Sequence, residues 1–350
     1  MILTFAYPSA PDRTGGVIVL YELANACARR SHEVHFVHGP LTPHRVGSLE
    51  ELPPFPFAER IDHYLVDRLD DPGLPEGDVV FGGTAPRRLG LPVDLVQGFR
   101  MLHEDVERDL FRAPHPKICV ARWLVDVCRR YGAPAEQLWY VPLGIDHHTF
   151  GARTPQNRRR HDVAMLYHPH YEKGFDVGLD ALADLRRRLS DVRVLVFGID
   201  PPAASLPDWV RFWQAPDHPT LADHIYNDSR VFLQPSYHEG FGYTAVEAMA
   251  CGCALVTTDN GGSRDYAIDD ETAAVVPPGD PSALAEAAER LLRDDAGRAR
   301  LAAAGAELVR RRFDWDHTAA LLEPHVEAYV ADPTRYQREP ADDLAQEASG

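Results

Sequence analysis

The apolar residues of this chain occur in short runs that are separated by stretches with helical periodicity. In the amino-terminal half the runs are ILTFAY, EVHFVH, DVVFGG, VDLVQG, KICVAR and LWYVPL. The rhythm restarts in the second half with VAMLYH, VRVLVFG, VRFWQA, VFLQPS, ALVTTD and AAVVPP. Runs without strict alternation indicate strands buried on both faces of a parallel sheet. Segments such as VIVLYELANACARR, DVGLDALADLRRRL and PSALAEAAERLL are typical of the helices between such strands.

The two series predict two doubly wound α/β domains. The predicted boundaries are an amino-terminal Rossmann-like domain at residues 1–150, a linker at 151–162, a carboxyl-terminal Rossmann-like domain at 163–315, a helix at 316–331 that crosses back to the first domain, and a polar tail at 332–350. Within the linker, Arg158, Arg159 and Arg160 favour a solvated hinge over a ligand site. Ligands of α/β sheets bind beyond the carboxyl ends of the strands, so we expect the active site in a cleft between the domains.

Composition narrows the range of partners. The 350 residues carry a formal net charge of −17, which argues against nucleic acid and anionic membranes as partners. No apolar run approaches the roughly 18 residues of a membrane span, and the first residues read as a strand and not as a signal peptide. We therefore expect a cytoplasmic protein without integral membrane association.

The cysteine pattern fits reduced thiols. Five cysteines form no CxxC pair, which is typical of a cytoplasmic protein without disulfides. Cys251 and Cys253 form a CxC, but no second pair completes a metal site. The 17 histidines include no HExxH motif. The D-x-D at Asp314 and Asp316 precedes a predicted helix, where aspartates act as caps, so no metal site is predicted.

The segment SYHEGFGYTAVEAMACG, residues 236–252, carries the candidate chemistry. It follows the predicted strand VFLQPS, and its Gly-Phe-Gly turn allows the backbone to approach a ligand closely. The helix that begins near Tyr243 offers free N–H groups and a positive dipole end, which suit a diphosphate. Glu239 lies just before the turn, and Glu247 lies one turn into the helix.

Glu247 also has a purely structural interpretation. Thr244 to Glu247 fits a capping box, in which the glutamate satisfies a backbone amide. That alternative does not explain Glu239 or the two glycines. A pair of carboxylates on either side of a diphosphate site is suited to accept hydrogen bonds from sugar hydroxyls.

Glu239-x7-Glu247 within LQPSYHEGFGYTAVEAMACGCALVTTDNGG resembles the signature of the retaining family 4 glycosyltransferases. The resemblance extends to ARRSHEVHFV, YVPLGID, EKGFDVGLDAL and AAVVPPGDPSALAEAAERLL, and so covers most of the chain. It implies the GT-B fold, in which two Rossmann-like domains face each other across a cleft. It also implies transfer of a sugar, with retention and without metal or cofactor, from a nucleotide-diphosphate sugar to a glycan, glycoside or secondary-metabolite acceptor.

The resemblance implies roles for individual residues. Glu239 would contact hydroxyls of the donor sugar, and Glu247 would hold the nucleotide ribose. Lys173 would neutralise the diphosphate and stabilise the leaving group, which makes Glu239 and Lys173 the catalytic candidates. Taken alone, Lys173 also fits an exposed loop lysine. The full set of predicted donor-binding residues is His168, Lys173, Glu239, Gly240, Phe241, Gly242, Tyr243, Thr244 and Glu247.

The chain departs from the family pattern at His168. The family carries an arginine five positions before the lysine, and here that position is a histidine. A histidine is only partly protonated near neutral pH and neutralises phosphate less well than arginine. Either His168 donates as an imidazolium, or another arginine has taken this role.

The amino-terminal candidates are fewer. Gly15 and Gly16 match a family glycine pair beside the reaction centre, and Gln97 stands where many members place a histidine. Gln97 can donate a hydrogen bond but cannot exchange a proton. His103 follows shortly after, and it also fits the first turn of a surface helix, so no general base is assigned.

Two other functions stay open. A catalytically degenerate relative would bind nucleotide or glycan without transfer, and the departures at His168 and Gln97 motivate that hypothesis. A related-fold enzyme such as a sugar-nucleotide epimerase is the third possibility.

Overall fold

The computed structural model describes residues 1–8, 15–39, 55–82, 85–99 and 104–337. The chain divides into two compact units, one comprising Met1–Gly144 with Trp315–Gly350 and the other Ile145–Asp314. Residues 151–162, which the sequence suggested as a linker, lie within the second unit.

The first unit is built on a seven-stranded parallel sheet. Its strands are β1 (Ile2–Pro8), β2 (Glu33–Gly39), β3 (Ile61–Leu65), β4 (Val79–Phe81), β5 (Leu91–Val96), β6 (Lys117–Cys119) and β7 (Leu138–Tyr140). They are arranged in the order β3-β2-β1-β4-β5-β6-β7. The described helices that follow these strands are α1 (Gly15–Arg29), α2 (Glu104–Arg112) and α3 (Arg122–Arg130).

The second unit is built on a six-stranded parallel sheet with the order β10-β9-β8-β11-β12-β13. Its strands are β8 (His161–Leu166), β9 (Val194–Gly198), β10 (Val210–Gln214), β11 (Ser229–Gln234), β12 (Ala254–Thr258) and β13 (Ala273–Val276). Its helices are α4 (Phe175–Arg188), α5 (His218–Thr220), α6 (Tyr243–Ala250), α7 (Pro281–Arg293) and α8 (Asp295–Arg312). A π-helix, Leu221–Tyr226, continues directly from α5. The predicted α/β class with two doubly wound domains is confirmed.

Strand β11 shows why its sequence lacks alternation. Val231 and Leu233 belong to the apolar cluster that contains residues of α4 and α7. Phe232 points to the opposite face, because successive side chains of a strand alternate. There its ring packs on Tyr226, with the two ring centroids 5.5 Å apart. Both faces are covered, so the strand is apolar throughout.

The strand order of the second sheet reverses between β8 and β11. From β8 the chain proceeds outward to β9 and β10, whereas β11, β12 and β13 proceed in the other direction. At such a switch point the loops that leave two neighbouring strands diverge and open a crevice. The loop after β8 carries His168 and Lys173, and the loop after β11 carries Glu239.

Arg159 corrects the prediction of a solvated hinge. It is 3% exposed and donates hydrogen bonds to the carbonyl oxygens of Tyr226 (3.0 Å), Ser229 (2.7 Å) and Cys251 (2.7 Å). A guanidinium has five donors in a rigid fork, which suits it to bind backbone carbonyl oxygens of several chain segments at once. The hinge interpretation is therefore wrong for Arg159, which is part of the core of the second unit.

The carboxyl-terminal helix α9 (Trp315–Ala331) belongs to the first unit. Thr318 Oγ1 donates to the carbonyl oxygen of Pro142 at 2.8 Å, and Glu323 accepts from Arg30, the residue that follows α1, at 2.7 Å. Asp316, in the first turn of α9, pairs with Arg29 at 2.8 Å.

The thiols are all reduced in this structure. Cys27, Cys119, Cys128, Cys251 and Cys253 are buried and free. Among the described residues, no helix has both the length and the apolar character that a membrane span requires.

Candidate functional site

The loops at the switch point of the second sheet bring Lys173 and Glu239 together. Lys173 Nζ donates to Glu239 Oε2 at 2.8 Å, and Ser236 Oγ donates to Glu239 Oε1 at 2.8 Å. The Glu239 side chain is 7% exposed, whereas that of Lys173 is 31% exposed. The carboxylate is thus held on both oxygens, and the ammonium group beside it is open to solvent. Lys173 is not an unpartnered loop lysine.

The backbone of Glu239 is held as firmly as its side chain. Its N–H donates to the carbonyl oxygen of Asn260 at 2.9 Å, and its carbonyl oxygen accepts from Gly262 N–H at 3.1 Å. These contacts attach the loop after β11 to the loop after β12. Sequence reasoning missed Ser236 and Asn260, although both lie within the segment that carries the family resemblance.

Gly174 sets the approach of the lysine loop. It has a φ of +62°, and a Cβ placed there would overlap the carbonyl oxygen of Pro235 and lie 2.9 Å from its carbonyl carbon. Close to this contact along both loops, Tyr237 N–H donates to the carbonyl oxygen of Glu172 at 2.7 Å. The loops after β8 and β11 are therefore in direct backbone contact, which fixes the position of Lys173 relative to Glu239.

The Gly-Phe-Gly turn leads into α6 as the sequence suggested. Gly242 is the N-cap, with a φ of +94° and no side-chain cap hydrogen bond. A Cβ at Gly242 would overlap the Tyr266 hydroxyl, so the close approach demands glycine. Phe241 is buried and packs edge-on against Tyr243 and Phe313. The first turn of α6, which contains Tyr243 and Thr244, has the dipole that favours an anion.

The capping-box explanation of Glu247 is wrong. Because α6 begins at Tyr243, Thr244 is its second helical residue and not its cap. Glu247 Oε2 accepts instead from the Tyr226 hydroxyl at 3.2 Å. Both side chains are buried.

Burial also sets the protonation of Glu247. Loss of hydration raises the pKa of this carboxyl to about 8, and the hydrogen bond from Tyr226 opposes the rise. Glu247 is therefore largely protonated at neutral pH in the ligand-free protein. A neutral carboxyl can both donate and accept, as the vicinal hydroxyls of a sugar can.

The surroundings of His168 favour its neutral form in the ligand-free protein. Burial lowers its pKa first, and the charges of Lys173 and His170 lower it further. Its Nδ1 accepts from the backbone N–H of His170 at 3.2 Å, so in the neutral ring the proton resides on Nε2. The neutral ring is thus an Nε2–H donor, and a bound anion nearby would favour the imidazolium.

We expect His168→Arg to remove part of the pH dependence of nucleotide binding. A bound diphosphate raises the pKa of His168, so binding takes up a proton. The affinity of the wild type therefore rises as the pH falls through the range between the pKa of His168 in the bound protein and its lower pKa in the free protein. Arginine is charged throughout. The dissociation constant of a nucleoside diphosphate, measured at pH 6, 7 and 8, should therefore favour the variant most at pH 8.

Other titrations, including those of Glu247 and the ligand itself, are common to both proteins and cancel in the ratio of their dissociation constants. A ratio that stays constant from pH 6 to pH 8 would exclude His168 as the group that meets the diphosphate.

In the first unit, two of the predicted residues meet. Gly15 begins α1, and Gln97, just past β5, donates from Nε2 to the carbonyl oxygen of Gly16 at 3.3 Å. A Cβ on Gly16 would contact the Gln97 carboxamide at 3.5 Å. His103 lies outside the described residues.

No group of three or more His, Cys, Asp or Glu side chains within the described ranges is arranged to hold a metal ion.

Comparison with known proteins finds one family model that matches most of the second unit. Residues 153–308 match the family model described as glycosyl transferases group 1. Over 60% of this chain there is 34% identity to a D-inositol 3-phosphate glycosyltransferase of Xylanimonas cellulosilytica, of which 56% is covered. Over 62% of the chain there is 32% identity to a phosphatidyl-myo-inositol mannosyltransferase of Mycobacterium leprae, of which 61% is covered. The chain thus spans less than two thirds of the length of either relative.

Solved structures resemble the fold over nearly the whole chain. Sucrose-phosphate synthase from Thermosynechococcus elongatus is similar over 94% of this chain and 99% of its own, with a TM-score of 0.73 and 20% identity. The Anabaena protein HepE, solved with UDP and glucose, is similar over 94% of this chain and all of its own, with a TM-score of 0.73 and 15% identity. At these identities the similarity concerns the fold alone.

Proposed function

Because residues 153–308 belong to glycosyl transferases group 1, we propose that this protein is a retaining, metal-independent glycosyltransferase. It takes a nucleotide-diphosphate sugar as donor and needs no cofactor. The acceptor is a hydroxyl of a glycan, glycoside or secondary metabolite. The first unit, with Gly15, Gly16 and Gln97, is proposed to hold the acceptor side of the reaction.

The observation that carries the proposal is the Lys173–Glu239 pair at the switch point. The pair places an ammonium group 2.8 Å from a carboxylate that is 7% exposed, at the carboxyl ends of β8 and β11. At this position the diphosphate of a bound donor would meet the ammonium group of Lys173. The sugar would meet the carboxylate of Glu239, which accepts hydrogen bonds. Among the residues of the site, Lys173 is suited to stabilise the charge that develops on the leaving diphosphate.

The other residues fit the same ligand. The N-terminus of α6, reached through Gly242, would bind the phosphate oxygens, and Glu239 would accept hydrogen bonds from the donor sugar. Glu247 would exchange hydrogen bonds with the ribose. His168 would donate from Nε2 to the diphosphate. Since Lys173 supplies the positive charge, we expect transfer to be unchanged when metal ions are chelated.

The names of similar proteins guide the choice of donors to test. One relative is named as a mannosyltransferase, and one similar structure contains UDP and glucose. We therefore include both UDP and GDP, together with dTDP and ADP, in a first screen.

We expect one of these four nucleotides to raise the melting temperature of the wild type and to have a much smaller effect on Glu247→Ala. A ligand at a hundredfold over its dissociation constant stabilises by about 2.7 kcal/mol. For a domain of this size that corresponds to a shift of roughly 5–10 °C. Thermal-shift measurements on the two proteins give the answer.

The outcomes separate the parts of the proposal. A nucleotide that stabilises both proteins equally would remove Glu247 from the site. No shift with any nucleotide would contradict a nucleotide-sugar donor.

A further inference from the structure

The buried hydroxyl of Tyr226 forms a hydrogen bond with the carboxyl group of Glu247. It donates to Glu247 Oε2 at 3.2 Å, and neither residue is more than 9% exposed. Burial raises the pKa of this tyrosine, so the hydroxyl stays protonated and acts as a donor. One oxygen of Glu247 is thereby occupied, and Oε1 is left to meet other groups.

Tyr226 has little freedom to move. Its carbonyl oxygen accepts from Arg159 Nη1 at 3.0 Å and from Cys253 Sγ at 3.1 Å. Its ring packs edge-on against Phe232 and Phe197, at centroid distances of 5.5 Å and 5.8 Å. It ends the π-helix Leu221–Tyr226, and single π-helical turns occur frequently at functional sites.

The apolar environment of Glu247 makes its hydrogen bond with Tyr226 more than a packing contact. Glu247 lies on α6 among Ala245, Val246, Ala248 and Met249, all of them buried. Among the residues that the structure describes, none forms an ion pair with Glu247. A buried carboxyl without a cationic partner is costly, and a buried polar group that persists needs its remaining hydrogen bonds met.

We propose that Tyr226 is a positioning residue, which holds Oε2 of Glu247 so that Oε1 faces the ribose hydroxyls of the nucleotide. This inference rests on the proposed function, because it assigns a geometry to the ribose contact of the same donor site. It predicts that the loss of one buried hydroxyl, at a residue that does not touch the ligand, reduces the discrimination between ribose and deoxyribose.

The test compares dissociation constants for the stabilising nucleoside diphosphate and for its 2′-deoxy and 3′-deoxy analogues. We expect the wild type to prefer the ribonucleotide by roughly tenfold over at least one analogue, since one hydrogen bond to a buried group is lost. In Tyr226→Phe the preference should fall toward one, while the affinity for the deoxy analogues stays within about twofold of the wild-type value.

Two further variants keep the test sharp. Tyr329→Phe removes another buried tyrosine hydroxyl, one that bonds the carbonyl oxygen of Pro92 in the first unit, and should retain the wild-type preference. Glu247→Ala should lose the preference as Tyr226→Phe does, because it leaves no polar group to meet the ribose, and the double variant should lose no more. If Tyr226→Phe does not fold, an unchanged preference in Glu247→Ala still overturns the inference.

The remaining outcomes have distinct meanings. An equal loss of affinity for ribo- and deoxynucleotides in Tyr226→Phe would show a merely structural residue and overturn the inference. A wild type that binds nucleotide without preferring ribose would overturn it too, with nucleotide binding intact. A wild type that binds no nucleoside diphosphate would overturn the proposed function as well.

Discussion

Replacing Glu239 by glutamine is expected to reduce sugar transfer by at least about a hundredfold. The carboxamide keeps the size of the side chain but cannot form an ion pair with Lys173, whose Nζ now donates to Oε2 at 2.8 Å. It also loses one acceptor at the position proposed for the donor sugar. The rate of nucleoside-diphosphate release from the donor is the measurement, with the melting temperature as a check of folding.

Glu172→Gln is the matched control for this variant. It makes the same change of charge next to Lys173, on a residue whose backbone carbonyl, and not its carboxylate, joins the two loops. We expect it to keep activity within a few-fold of the wild type, because the substitution leaves the backbone carbonyl that joins the loops in place. Full activity in Glu239→Gln would show that the ion pair has no part in catalysis.

Replacing Gly174 by alanine is expected to have the largest effect on stability. Alanine at a φ of +62° costs about 1–2 kcal/mol. The overlap of its Cβ with the carbonyl oxygen of Pro235 adds a cost of about 1–3 kcal/mol, because a backbone atom must move. Together they should lower the melting temperature by roughly 5–15 °C. The shift of the loop should also separate Lys173 from Glu239, so activity falls with stability.

Gly151→Ala provides the comparison. A Cβ at Gly151 would have its nearest neighbour, the carbonyl oxygen of His147, at 3.7 Å, which is an ordinary contact. Thermal unfolding of this variant should differ little from that of the wild type. Equal stability of the two variants would mean that the turn at Gly174 relaxes without strain, and that it does not fix the lysine loop.

The fold could be predicted from the sequence to a large extent. Apolar runs without alternation indicate parallel strands, and they recur in two series, so the two doubly wound sheets followed directly. The GT-B fold class came from the Glu239-x7-Glu247 resemblance, and both the family resemblance and the fold class are confirmed. Local patterns suffice here because each strand and helix carries its own periodicity.

The long-range contacts of the site could not be predicted. Tyr226 and Glu247 are 21 residues apart, and Tyr226 ends a π-helix that α-helical periodicity does not predict. Arg159 looked like one of three solvated arginines, and only the assembled unit shows which backbone carbonyls it bonds. Neither the burial of a charged side chain nor the pKa of a carboxyl is encoded in local periodicity.

The protonation state of His168 likewise depends on its environment in the folded unit. The family resemblance placed His168 at the position of a phosphate-binding arginine and left open whether it donates as an imidazolium. The neutral ring with the proton on Nε2 follows from the His170 N–H contact and from burial. Gln97 and Gly16 are 81 residues apart and were selected only through the family resemblance. Their contact places two of the predicted amino-terminal residues side by side.

The measurement that tests the central claim most directly is nucleoside-diphosphate release from UDP-, GDP-, dTDP- and ADP-sugars without added acceptor. The account predicts release from one donor class above the spontaneous rate by the wild type, and release at the spontaneous rate by Glu239→Gln. Binding without release from any donor would contradict an enzyme and favour a nucleotide-binding relative. Equal release by both proteins would contradict the proposed active site.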